Sequence, residues 1–218
     1  MVHIGEGSVV CASAVLEGDV SIGHRTMVHP LAKIIAKTGP IVIGDNNIIE
    51  EKVEMVNDSE GEHVMIIGSG NVFQAGCSVR SLKIGNNNLV ESGSYLGPAT
   101  VLPYGNVITA GCRVEVEEVL PELTVLYTRD GRHQRRRATA PPPDTGPEVE
   151  LLAKLLPNYH QTLPVEKMNG ADTDRPDNSQ EIKPSSTTSS TASLSSTAKS
   201  FVRFKSLLHS NTSLRRNK

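Results

Sequence analysis

Residues 4–34 read IGEGSVVCASAVLEGDVSIGHRTMVHPLAKI. Within them Ile4, Val10, Leu16, Ile22, Val28 and Ile34 stand six apart without exception. Four places after each comes a small or β-branched residue: Ser8, Ala14, Val20, Thr26, Ala32 and Thr38. A second run repeats the beat at Ile84, Val90, Leu96, Leu102, Ile108, Val114, Leu120 and Leu126. Its fourth-place residues are Asn88, Ser94, Thr100, Asn106, Cys112, Glu118 and Thr124, of which Glu118 fits poorly. A period of six matches neither a 3.6-residue helix nor a two-residue amphipathic strand. It matches a solenoid in which each beat is one short strand and one corner. Three beats close a triangular coil, and coils stack as parallel strands about 4.8 Å apart. The aliphatic residue fills the prism, and the small one lets neighbouring coils approach.

Outward from this stretch, the register slips in three places. Ile34 to Ile43 spans nine residues, with Gly39-Pro40 as the turn that absorbs the excess. The beat resumes at Ile43, Ile49 and Met55, then breaks over polar, Gly-containing residues 56–64, which read as a loop extruded from a corner. It returns at Ile67, Phe73 and Val79, and Val79 to Ile84 is one residue short. Gly-Asn and Asn-Asn pairs recur at corners: Gly44-Asp45-Asn46-Asn47, Gly68-Ser69-Gly70-Asn71 and Gly85-Asn86-Asn87-Asn88. These residues tolerate positive φ, and stacked Asn side chains can bond from coil to coil.

The beat ends after Leu126, so the solenoid is expected over residues 1–128. Residues 129–147, Arg-rich and then Pro-rich, read as a linker across the surface. From Pro147 to Leu156 the chain reads as a short helix with Pro in its first turn and Lys154 near its end. Pro157 is expected to stop it, within a helical segment at 148–160 that packs on the solenoid, along a prism face or over the C-terminal coil. Leu151, Leu152, Leu155 and Leu156 are its expected apolar stripe. Residues 164–218 are Ser/Thr-rich and too poor in apolar residues to stay ordered. Within them Phe201 to Leu208 is basic and apolar, able to dock on a partner or an anionic surface.

Composition agrees with a narrow interior. Aromatic residues are 3% of the 218, and Trp is absent. The net charge of −2 hides a division. Residues 1–128 carry 7 Lys/Arg against 15 Asp/Glu, residues 129–137 five Arg against one Asp, and residues 165–218 nine Lys/Arg against five Asp/Glu. An acidic body argues against nucleic acid along the prism and suits a basic protein partner. Three Cys without a CxxC pair argue against a disulfide scaffold or a Cys-based zinc site. Cys77 and Cys112 occupy small-residue slots and are expected to be buried. No signal pattern and no apolar run near 18 residues is present, so a soluble intracellular protein is expected. Only three residues precede Ile4, which leaves the first coil's rim bare and implies that another protein covers it.

Hexapeptide solenoids host two chemistries, acyl transfer with a loop His as general base and the zinc site of the γ-class carbonic anhydrases. His24 and His29 stand five apart, like the G-H-x4-H element of those anhydrases, but the third His that a catalytic zinc needs is missing from the neighbouring coils. His63, in the extruded loop, is the candidate base for acyl transfer, with Glu60 and Glu62 near in sequence. Neither constellation is complete, so no catalytic, cofactor or metal residue is expected.

The stretches Val20 to Pro30, Ala32 to Ala36, Gly39 to Gly44, Asn47 to Glu51, Met65 to Gly68, Asn71 to Phe73 and Leu155 to His160 resemble a known family. It is that of the β-helix subunits of the dynactin pointed-end complex, within the hexapeptide-repeat, γ-carbonic-anhydrase-like superfamily. The resemblance covers residues 1–163 and includes the slip at Gly39-Pro40; the Ser/Thr-rich tail and the shorter extruded loop depart from it. It implies an all-β, left-handed parallel β-helix with a C-terminal α-helix, against the usual right-handed crossover. It implies a non-enzymatic subunit in the cytoplasm and cytoskeleton. The implied partners are dynactin subunit 5, the actin-related protein at the pointed end and dynactin subunit 4, with dynein indirectly.

Overall fold

The computed structural model describes residues 1–115 and 118–164. The expectations placed on residues 165–218, including Phe201 to Leu208, lie outside the described residues. The rest folds as a left-handed parallel β-helix of seven coils with one C-terminal helix. Three sheets form the sides of a prism. The first runs through Val2–Ile4, Val20–Ile22, Ile41–Ile43, Met65–Ile67, Lys83–Asn86, Thr100–Tyr104 and Glu118–Val119. The second runs through Val9–Val10, Met27–Val28, Ile48–Ile49, Val72–Phe73, Leu89–Val90, Val107–Ile108 and Thr124–Arg129. The third runs through Val15–Glu17, Lys33–Ala36, Glu54–Asn57, Ser78–Val79, Tyr95–Leu96 and Arg113–Val114.

The register is the six-residue beat made physical. Ile4 pairs with Ile22, Ile22 with Ile43, Ile43 with Ile67, Ile67 with Ile84 and Ile84 with Leu102. Every beat residue is buried except Ile4 and Leu16 of the first coil, which are partly buried and packed on the same core. Phe73 is the largest of them and is fully buried. All three cysteines are buried and unpaired, and desolvation pushes the Cys77 thiol up to about 12.

Two stacked columns explain why the fourth-place residues are small and polar. A glycine follows the beat at Gly5, Gly23, Gly44, Gly68 and Gly85, where each coil meets the next backbone to backbone. A Cβ on Gly68 would lie 2.5 Å from the Gly85 carbonyl oxygen, and one on Gly85 only 1.6 Å from that of Pro103. Beside them runs a ladder of Ser8, Thr26, Asn47, Asn71, Asn88, Asn106 and Thr124, all buried. The backbone N–H of each donates to the side-chain oxygen of the one below, Thr26 to Ser8 at 2.8 Å and Asn71 to Asn47, Asn88 to Asn71, Asn106 to Asn88 and Thr124 to Asn106 all at 2.9 Å. The residue before each rung takes a positive φ, and five of the seven are Gly or Asn, which hold that conformation at low cost.

Both insertions enter at the same corner and are stitched together there. The slip at Gly39-Pro40 and the extruded loop converge on Asn57, which is fully buried. Its Nδ2 donates to the carbonyls of Gly39 at 2.9 Å, Pro40 at 3.1 Å and His63 at 2.7 Å. Arg80 closes the far side of the loop on Asp58. Asn57→Ala leaves those carbonyls without their donor, at about 1–3 kcal/mol for buried polar groups. The expected result in urea denaturation is a loss of that size. Limited proteolysis is expected to cut within residues 58–64 of the variant and spare the parent chain. Equal cleavage of both would show that Asn57 does not hold the loop.

The region after the beat departs from the expected linker. Arg132–Arg137 forms a strand that pairs antiparallel with Thr124–Arg129 and extends the second sheet to eight strands. Asp130 and Gly131, with φ of 51° and 70°, make the turn between them, a two-residue connection whose twist suits a hairpin.

The helix spans Gly146–Tyr159. Pro157 does not stop it, because a proline in the last turn forfeits one hydrogen bond while the helix still closes with the His160 N–H on the Leu156 carbonyl. The helix lies along the outer face of the second sheet at the N-terminal coils, not over the C-terminal coil. Val149 and Leu156 are buried there with Cys11, Met27 and Ile48, and Leu152 and Ala153 pack beside them. This 149-152-153-156 spacing is the true helical stripe. It leaves Leu151 and Leu155 exposed, against the expected Leu stripe. The Thr145 hydroxyl donates to the Asn46 carbonyl at 2.8 Å and fixes the helix start to a solenoid corner.

Candidate functional site

The three candidate histidines occupy three different environments. His24 sits exposed at the corner between the first and second sheets, its backbone N–H bonded to Asp45 Oδ1 at 2.7 Å. His29 sits one corner further on, buried, with Nδ1 3.0 Å from Glu51 Oε1. The five-residue spacing therefore carries the chain around a side of the prism and separates the pair. Among the described residues, no group of three or more His, Cys, Asp or Glu side chains is arranged to hold a metal ion.

The His29–Glu51 pair is a structural clasp. A carboxylate only accepts, so Nδ1 of His29 donates. Nε2 is buried with no partner among the described residues. A ring nitrogen sealed from solvent is out of a substrate's reach. The hydrogen bond from His29 holds the Glu51 carboxyl below its ordinary value, against the opposing effect of burial. The stabilising share of that bond is thus present at neutral pH and is lost as pH falls through the lowered value. His63 is exposed in the extruded loop beside exposed Glu60 and Glu62. Among the described residues no side chain is hydrogen-bonded to its ring, so nothing orients it as a base.

What the described residues present to a ligand is strand edge. The first and third sheets begin at Val2–Ile4 and Val15–Glu17, whose outer edges pair with no other strand among the described residues. Val2 and Val15 are exposed on them, and Ile4 and Leu16 complete the interior less fully than later beats. Unpaired N–H and C=O groups flanked by exposed valines are a template for an added strand. The opposite rim has a similar gap at Glu118–Val119, where Val119 is exposed.

The expectation of a wholly bare N-terminal rim needs correction. After the helix, residues 161–163 return to the first coil. Ala12 N–H donates to the Gln161 carbonyl at 2.7 Å, Leu163 N–H to the Val10 carbonyl at 2.8 Å, and Cys11 bridges antiparallel to Thr162. The chain thus covers one of the three sides itself. This return leaves little trace in residue type, because a three-residue pairing carries no period. The only hint was the apolar Leu163 beyond the helix, which packs on the core. The cavity beside this return, about 640 Å³, is lined by Ala12 and residues 157–162 and carries a single titratable imidazole, that of His160. It holds no set of catalytic groups.

No protein-family model matches the chain. Dynactin subunit 6 of Nematostella vectensis is 46% identical over 166 residues, covering 72% of this chain and 89% of that protein. Dynactin subunit 6 of Xenopus tropicalis is 44% identical over 168 residues, covering 73% and 83%. Among solved structures, LpxA, a UDP-N-acetylglucosamine acyltransferase from Bacteroides fragilis 9343, aligns with a TM-score of 0.47 at 18% identity, covering 61% of this chain and 62% of that one.

Proposed function

Because the chain belongs to the dynactin subunit 6 family, we propose that it is a non-catalytic subunit of the dynactin complex. It sits in the pointed-end complex and supports dynein-driven microtubule transport and cargo binding, in the cytoplasm and on the cytoskeleton. Its partners are dynactin subunit 5, the actin-related protein at the pointed end and dynactin subunit 4. The observation that carries the reading is the pair of open strand edges, Val2–Ile4 and Val15–Glu17, with Val2 and Val15 exposed. An isolated soluble protein blunts such edges with charge, proline or a covering segment. Among the described residues only the second sheet has its cover, and a neighbouring β-subunit supplies the other two. The enzymatic alternative, a γ-class anhydrase or an acyltransferase, gains nothing from His24, His29 or His63 as they lie.

The test is recovery of the tagged chain from native lysate, followed by mass measurement. The expected result is a large assembly containing an actin-related protein, lost when Val2→Lys and Val15→Lys are combined although the variant keeps its circular dichroism. A lone trimer of about 70 kDa, three times the 23.4 kDa chain, would overturn the reading. So would stoichiometric zinc that disappears in His24→Ala.

A further inference from the structure

The strand Arg132–Arg137 is the last of the second sheet, and among the described residues no other strand pairs with its outer edge. With Arg129 of the preceding strand it carries five arginines, Arg129, Arg132, Arg135, Arg136 and Arg137, all exposed. On this hairpin Arg129 pairs with Asp130 in the turn at 3.8 Å. Arg132, Arg136 and Arg137 have no carboxylate within salt-bridge distance among the described residues. This positive strip sits on a solenoid whose residues 1–128 carry 7 basic against 15 acidic side chains.

The hydrogen-bond phase shows what the edge offers. Ala138 N–H donates to the Leu123 carbonyl, while the Leu126 carbonyl is taken by Thr109 of the coil below. Arg135 stands opposite Leu126 and Arg137 opposite Thr124. In the alternation of an antiparallel ladder, the backbone groups of His133 and Arg137 therefore turn to the open edge. Cationic side chains flank both sides of that row. Such an edge repels a second copy of itself and gives an apolar strand no reward, so charge rejects the usual aggregation partners. An acidic strand is the partner that satisfies both the backbone groups and the charge.

We propose that the open edge of Arg132–Arg137 takes up an acidic, extended segment of a partner protein as an added strand. A six-residue strand offers about 20 Å of edge, enough for a short peptide. Nucleic acid fits less well, because the acidic solenoid adjoining the strip repels a long polyanion. A membrane surface fits less well too, because the strip carries no apolar side chain to insert beside its arginines. This edge is separate from the N-terminal rim, so the proposal stands or falls apart from membership of the assembly.

The test uses the full chain and a fluorescent decapeptide of alternating Glu and Thr, with binding read by anisotropy at low salt. Arg132→Glu, Arg136→Glu and Arg137→Glu combined are expected to weaken binding at least about tenfold, the order found for charge pairs across an interface. The thermal midpoint is expected to stay put, since these side chains are exposed. Arg136→Gln with Arg137→Gln gives a milder change that keeps the test valid should the reversal disturb the hairpin. The same peptide N-methylated at alternate residues keeps its charge but cannot pair, and is expected to bind about tenfold more weakly. The basic tail is common to parent and variants and cancels in the comparison. Equal binding by the parent and both variants would overturn the proposal. So would equal binding of the methylated peptide, or tighter binding of a single-stranded RNA decamer or a phosphatidylserine vesicle through the same arginines.

Discussion

Phe73→Ala is expected to cost about 3–5 kcal/mol, the range for truncating a buried aromatic side chain. Phe73 is fully buried in the middle of the prism, paired with Ile49 on one side and Val90 on the other. The coils above and below are clamped by backbone bonds, Glu50 N–H to the Phe73 carbonyl and Gln74 N–H to that of Val90, both near 2.9 Å. A wall held so rigidly cannot collapse into the vacated space, which puts the cost toward the upper end. For a chain of this size the loss corresponds to a drop of about 6–20 °C in the thermal midpoint. Circular dichroism melting of the purified chain measures it. A drop of only a degree or two would mean that the interior near Phe73 is loosely filled, and that packing is not what holds the stack.

The second large effect is expected at Asn71, and it separates hydrogen bonding from packing. Its Oδ1 accepts from the backbone N–H of Asn88 at 2.9 Å and the Asn88 amide at 3.0 Å, and its Nδ2 donates to Asn47 Oδ1 and the Gly85 carbonyl. Asn71→Ala strands several buried groups at about 1–3 kcal/mol each. Partial relaxation sets the total at about 3–5 kcal/mol by urea denaturation. Asn71→Thr is expected to recover much of this. Thr26 already serves as a rung, its hydroxyl donating to the Gly44 carbonyl and accepting from the Asn47 N–H. Threonine at position 71 that destabilises as much as alanine would show that the ladder contributes by shape and not by its bonds.

These residues also show how far the sequence could be read. The beat gave the prism because burial at every sixth position leaves a trace in residue type. The Asn rungs were readable because they sit in a fixed slot beside Gly. Asn57 was not, since it bonds to an insertion, and insertions have no period. The hairpin left one signal, Asp130-Gly131 between Thr124 to Arg129 and Arg132 to Arg137, a dipeptide suited to a two-residue turn. The density of arginine masked it as linker. Four leucines drew attention to the helix's wrong face, because Val149 and Ala153 complete the 3.6-residue stripe while Leu151 and Leu155 do not. For the candidate site, residue types named the histidines but could not say that His24 and His29 fall at different corners. The open edges were legible only as a rim, and which side of it the chain covers came from the return of residues 161–163.

That return changes how the molecule should come apart. An open stack of repeats couples each unit only to its neighbours and can fray from either end. Here the last described segment clasps the first coil, and the helix before it is pinned at Asn46, so the two ends of the described stretch are tied together. Such a closed circuit favours all-or-none melting over stepwise fraying from the first coil, through contacts between residues far apart in the chain.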